Sequence, residues 1–172
     1  MRVMSTLLVD GYNLIHSHPV LSRLVRSDME SAREGLLREL LPLASPAYFR
    51  AVLVVFDAAG WGGAEPVLED RGGLVAIFTK KRQSADSFIE AVVRVMVSRE
   101  EVLVATSDRA LRRMVEGYGA GGVDGEALLE MAREARKETR LEMEKLAGKR
   151  KVPLEERVSP EVRRLLDRMR YM

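Results

Sequence analysis

Four short runs rich in β-branched and other apolar residues, Ser5–Val9, Ala51–Phe56, Leu74–Thr79 and Val102–Thr106, constrain this chain more than anything else in it. Each is nearly continuous in its apolar character, without the alternation of a strand that has one wet face. Such runs read as strands covered on both sides, the mark of a parallel sheet. Between them the apolar period becomes helical. Ala32, Leu36, Leu37, Leu40 and Leu41 form one stripe over Ser31–Leu43, with Pro42 and Pro46 near its end. Phe88, Ile89, Val92, Val93 and Met96 form another over Ser84–Ser98, and Asp108–Glu116 follows the fourth run directly. Strands alternating with helices predict a layered α/β fold with a mostly parallel sheet.

Beyond Gly119-Ala120-Gly121-Gly122, the stretch around Val123 suits a last edge strand, and Asp124 suits the N-cap of a helix from Gly125 to about Leu146. Gly148, Lys149-Arg150-Lys151 and Pro153 end that helix, and Ser159-Pro160-Glu161 opens a short basic helix through Arg170. With 172 residues, 47% of them hydrophobic, the chain is long and apolar enough for one real core, which excludes disorder. The expected organisation is a core over residues 1–130 and a basic helical extension over 131–172. Residues 1–130 carry a net charge of −3 and residues 131–172 a net charge of +5. Such a tail suits a polyanion or an acidic surface, and equally a solvated helix of mixed charge.

Composition removes whole classes of chemistry. With no cysteine, thiolate zinc sites, iron–sulfur clusters, disulfides and cysteine nucleophiles are impossible. His16 and His18, the two histidines, read as surface residues of a loop after Asn13. The nine methionines are dispersed and read as core filler. The longest apolar run is far short of the roughly 20 residues that span a bilayer. With no membrane anchor or secretory signal in view, the cytoplasm is the expected compartment.

In open parallel sheets ligands bind beyond the carboxyl ends of the strands, and here those ends are acidic. The first run leads into Asp10-Gly11-Tyr12-Asn13, the second into Asp57 and the fourth into Ser107-Asp108. The helix after the third begins Ala85-Asp86, with Glu90 four residues later on the same face. Each acid also has a plain structural use, Asp86 and Asp108 at helix N-termini and Asp10 and Asp57 in turns. Four or five carboxylates meeting at one edge repel one another unless protons or cations neutralise them, and a hard divalent cation does so through oxygen. Mg²⁺ or Mn²⁺ in such a setting performs phosphoryl chemistry.

The ordered set Leu8-Val9-Asp10-Gly11-Tyr12-Asn13-Leu14-Ile15, Val54-Val55-Phe56-Asp57, Ser84-Ala85-Asp86-Ser87-Phe88-Ile89-Glu90 and Val104-Ala105-Thr106-Ser107-Asp108 resembles the NYN domain of the YacP type, a branch of the PIN-like nuclease superfamily. The resemblance covers about residues 5–140. It implies a three-layer α/β/α fold, a metal-dependent acidic site and endoribonuclease activity, in some members on messenger RNA in the ribosome. It makes Asp10 the central metal ligand, Asn13 a group orienting it or the scissile phosphate, and Asp86 and Asp108 the rest of the acidic cluster. Glu90, Asp57 and Ser107 become supporting residues. Arg109-Ala110-Leu111-Arg112-Arg113 departs from the family pattern, in which a glutamine stands where Arg112 or Arg113 does here.

Lys80-Lys81-Arg82, just before Asp86, is placed to grip RNA phosphates without reading sequence, as are Arg112 and Arg113. Trp61, in the glycine-rich loop Ala58–Gly73, suits stacking on an unpaired base or a lid over the core. Tyr12 reads as packing beneath the site. The partners implied are single-stranded RNA and the ribosome, with no membrane; the oligomeric state is not written in these residues. A competing reading is an RNA- or ribosome-binding adaptor with the same fold and no cleavage. A receiver domain is disfavoured because a single Asp10 replaces the acidic pair and no lysine ends the last strand. A haloacid-dehalogenase-type phosphatase needs an aspartate where Tyr12 stands, and no P-loop or GxGxxG fingerprint is present.

Overall fold

The four apolar runs are the four inner strands of one sheet. The computed structural model describes residues 5–58, 62–145 and positions 160, 163, 164 and 167. Among the described residues the strands are β1 (Thr6–Asp10), β2 (Ala51–Phe56), β3 (Val67–Asp70), β4 (Leu74–Phe78), β5 (Val102–Ala105) and β6 (Gly121–Val123). The helices are α1 (Gly11–Ser17), α2 (Met29–Leu40), α3 (Ala85–Met96), α4 (Arg109–Gly117) and α5 (Gly125–Lys145). The sheet order is β3-β4-β2-β1-β5-β6. All pairs are parallel except β3 with β4. This is a layered α/β fold, as the alternation predicts, with the three layers that the family resemblance implies.

The inner strands lack alternation because both faces are dry. Leu7 and Val9 join Val52, Val54 and Phe56 in a core under α1, α2 and α5, whereas Leu8 joins Leu53 and Val55 in a second core under α3 and α4. In α3, the residues Phe88, Ile89, Val92, Val93 and Met96 are all buried. Each such side chain contributes up to about 1.5–3 kcal/mol on burial, so packing holds this valine-rich helix in place despite its modest propensity.

Three expectations need correction. The loop from Ala58 to Gly73 contains a strand, β3, which lies antiparallel at the sheet edge with Val67 half exposed. The segment after Asn13 is not a loop, since α1 begins immediately after Asp10. His16 is exposed, but His18 is buried, with 6% of its surface accessible. The helix expected from Ser31 begins at Met29, because Asp28 is its cap and accepts from the Ser31 amide at 2.9 Å. Pro42 then falls in a 3₁₀ turn, Leu41–Leu43. Asp124 caps α5 through the Ala127 amide at 2.8 Å, and α5 runs unbroken through Glu130. The expected helix from Ser159 to Arg170 lies largely outside the described residues.

From β1 the chain moves outward to β2 and β4, then returns through α3 to β5 on the opposite flank of β1. The direction of winding reverses at β1. In a doubly wound sheet, that reversal opens a crevice at the carboxyl ends of the strands on either side of it.

Candidate active site

Asp10 stands at this reversal, as the last residue of β1 and the N-cap position of α1. Its backbone is extended, and although no well-formed cap hydrogen bond reaches its carboxylate, the Asn13 backbone amide of α1 still acts on it. Only 8% of the residue is accessible. Its side-chain partner is the Thr106 hydroxyl, a long donor at 3.4 Å to Oδ2. Burial, followed by the negative charge of Asp86, raises its pKa from the ordinary 3.8 to about 6. Asp108 adds to the rise, while the Asn13 amide and the Thr106 hydroxyl oppose it.

Asp86 is also released from capping duty. Ser84 caps α3, accepting from the Ser87 amide at 3.1 Å, which leaves the half-buried Asp86 carboxylate to face the crevice acids. Burial, then Asp108 and Asp57, raise its pKa. Asp108 does serve as a cap: its Oδ1 accepts from the amides of Ala110 and Leu111 at 2.8 and 3.2 Å. Asp57 follows β2 directly. Asp10, Asp57, Asp86 and Asp108 therefore act on one another electrostatically at a single sheet edge.

Among the described residues, no three acidic or histidine side chains stand close enough together to enclose one metal ion. Mg²⁺ dehydrates reluctantly and is ordinarily held by one or two carboxylates, keeping several waters. The donor set fits a hydrated ion of that kind and does not fit a closed protein cage.

Two polar groups lace the edge together. Asn13 Oδ1 accepts from the Ser107 amide at 2.8 Å and the Ser107 hydroxyl at 2.9 Å, tying α1 to the turn before α4. Thr106, fully buried, faces Asp10 with its hydroxyl and accepts from the Asp108 amide at 3.1 Å. Thr106 is a residue of the site beyond those the sequence motifs mark, and its signal in the sequence is a hydroxyl ending a buried strand directly before Ser107-Asp108. Glu90 points elsewhere, accepting from the Tyr118 hydroxyl at 3.0 Å, with Arg94 over the Tyr118 ring.

The family model of the YacP-like NYN domain matches residues 7–171. The chain belongs to the YacP-like NYN domain family. It is 36% identical over 118 residues to YacP of Bacillus subtilis (strain 168), which is 68% of each chain. The crystal structure of Rae1 (YacP) from Bacillus subtilis matches with a TM-score of 0.65 at 29% identity, over 99% of this chain and 95% of that one. A mutant form of the same protein matches with a TM-score of 0.67 at 27% identity, over 96% and 99%.

The residues of this NYN domain proposed to touch substrate occupy varied settings. Lys80 is half-buried, Lys81 and Arg82 are exposed, and Arg82 has φ of 67° in a turn closed from the Gln83 amide to the Lys80 carbonyl at 3.0 Å. That left-handed backbone favours glycine and strains arginine. Trp61 lies outside the described residues, but its neighbour Gly62 is wedged so tightly that a Cβ there would come within 2.8 Å of the Ala58 carbonyl oxygen. Arg113 is exposed, whereas Arg112 turns inward and donates to the Thr106 carbonyl. Tyr12 packs on Phe56, ring centroids 5.2 Å apart, and its hydroxyl accepts from Arg33 at 3.1 Å. The described part of the basic extension pairs its charges along α5, Arg133 with Glu130 and Lys137 with Glu134. No helix among the described residues is long and apolar enough to cross a membrane.

Proposed function

We propose that this NYN domain is a metal-dependent endoribonuclease that hydrolyses RNA phosphodiester bonds. The observation that carries the reading is Asp10: buried, uncapped, at the winding reversal of the sheet, and repelled by Asp86 and Asp108. A carboxylate in that position is stabilised by a cation, and family membership is consistent with a ribonuclease. A bound Mg²⁺ or Mn²⁺ supplies an activated water and stabilises charge developing on the phosphate. Asp10 is the central ligand in this reading, with Asp86 and Asp108 completing the acidic mouth and Asp57 supporting them. Asn13 and Ser107 hold α1 against the turn before α4, which keeps Asp10 and Asp108 in register. Lys80, Lys81, Arg82 and Arg113 grip the backbone phosphates of single-stranded RNA, and Arg82 accepts backbone strain to sit at the rim. We infer that the core over residues 1–130 cuts, and that the basic extension over 131–172 favours RNA in a polyanionic setting such as messenger RNA on the ribosome.

The test incubates the purified protein with mixed-sequence single-stranded RNA in Mn²⁺, Mg²⁺ or EDTA, beside an Asp10→Asn variant. Cleavage that requires metal and is lost in the variant supports the reading. RNA binding without cleavage in any condition, on free RNA and on translating ribosomes, and unaffected by Asp10→Asn, would replace it with an adaptor.

A further inference from the structure

Arg112 lies in the first turns of α4, and its Nη2 donates to the Thr106 carbonyl at 2.8 Å. Its Nε is buried with no hydrogen-bond partner among the described residues, a cost that an ordinary surface arginine avoids by keeping its head in water. Room for the side chain comes from β6. A Cβ on Gly122 would stand 2.9 Å from Arg112 Cγ and 2.7 Å from Glu116 Oε1, so the bare backbone at Gly122 is what lets the arginine lie across the strand.

The carbonyl that Arg112 holds belongs to the residue that links two of the crevice acids. The Thr106 amide donates to the Val123 carbonyl at 3.2 Å, so β6 and Arg112 hold the peptide units on the two sides of this residue. Thr106 then directs one hydroxyl both toward Asp10 and to the Asp108 amide. A guanidinium suits this duty because it stays charged and presents its donors in a fixed fork.

We infer that Arg112 is a positioning residue: by fixing the Thr106 carbonyl it sets the Thr106 hydroxyl against Asp10 and the Asp108 amide, and it does not bind RNA. The inference rests on the cleavage reading for its effect on rate, but its structural half can be measured without activity. The experiment compares wild type with Arg112→Met, which keeps the stem and removes the donors, and with Arg112→Lys and Gly122→Ala. Two readouts are taken: steady-state cleavage of single-stranded RNA, resolved into kcat and KM, and hydrogen exchange at the Asp108 amide.

The expected result for Arg112→Met is a kcat lower by about ten- to a hundredfold with KM nearly unchanged, the behaviour of a misplaced site. Asp108 exchange should rise by about tenfold while the Leu8 amide in β1 keeps its protection. Arg112→Lys should restore part of both, and Gly122→Ala should reproduce both in weaker form. Unchanged exchange at Asp108 overturns the inference whatever the kinetics, as does a raised KM with kcat intact, which would make Arg112 an RNA contact. If wild type cuts no RNA, the cleavage reading fails separately and the exchange comparison alone decides whether Arg112 holds Thr106. If Arg112→Met does not fold, Arg112→Lys and Gly122→Ala carry the same comparison.

Discussion

His18 and Asp10 flank the same short helix, and both are polar and more than nine-tenths buried, yet they are treated in opposite ways. The His18 ring accepts two backbone amides at Nδ1, from Val20 and Leu21, each at 3.0 Å, and donates from Nε2 to Glu39 at 3.1 Å. Both ring nitrogens are therefore used. Asp10 has one long hydroxyl contact, a backbone amide at Asn13 that falls short of a well-formed cap bond, and two acidic neighbours that push its carboxyl toward neutrality. A buried polar group with all its partners made serves the fold. One that is left short of partners at a crevice is held there by the rest of the structure and is available to a ligand.

The largest expected difference between the two is in activity. Asp10→Asn should lower RNA cleavage by about a thousandfold or more, since it removes the charge that takes up the cation. His18→Ala should leave the chemistry of the folded protein near wild type. Equal losses in a cleavage assay at low temperature would erase the contrast.

In stability the ranking reverses. His18→Ala orphans the buried Leu21 amide, frees the part-buried Val20 amide and opens a cavity, and should cost about 2–3 kcal/mol in urea unfolding. A cost under about 1 kcal/mol would mean that water or a shifted Glu39 replaces the ring.

Next in size is a pH effect at Asp10, measured in EDTA. Its carboxyl titrates at about 6 in the folded protein against the ordinary 3.8, so the folded state retains the proton between those values. Stability from this group is full below about pH 4, falls as pH rises through 6, and is then level, by about 2–3 kcal/mol in all. Subtracting the Asp10→Asn curve from wild type should isolate that fall; a flat difference would mean that Asp10 is better solvated than its burial implies. Adding Mn²⁺ should recover stability in wild type and not in the variant.

A smaller effect extends the contrast to Arg82. Arg82→Gly should stabilise by about 1 kcal/mol by relaxing the left-handed backbone, while weakening RNA binding in a salt-dependent titration. Smallest is Glu39→Gln, which keeps an acceptor for the His18 N–H in a partly exposed place and should change stability by less than about 0.5 kcal/mol.

The inner sheet was legible because burial on both faces forces continuous apolar runs, and the helices behind it because Ser84, Asp108 and Asp124 announce their starts. The edge strand β3 was not, because four residues with two exposed ends carry no pattern that separates them from a loop. The helix α1 was hidden for another reason. Its N-cap residue is Asp10, whose side chain is withheld from capping, and its apolar stripe amounts to Leu14 and Ile15. At the site, the acids were readable from their places at strand ends. The inward turn of Arg112 was not, since it depends on the missing side chain of Gly122 across a strand contact that no local pattern encodes.

The central position of β1 governs when this molecule becomes competent during its synthesis. Thr6 pairs with Ala51 on one side and with Val102 on the other, so β1, made before the other strands of this sheet, waits for β5. A nascent chain halted before β5 has an open edge on β1, and Asp10 in it lacks both Thr106 and Asp108. At about 5–20 residues per second, the interval between Asp10 and Asp108 is roughly 5–20 s. Whatever chemistry Asp10 performs is therefore withheld from every chain halted before β5, and truncation there, rather than leaving a fragment with unregulated activity, leaves one with none.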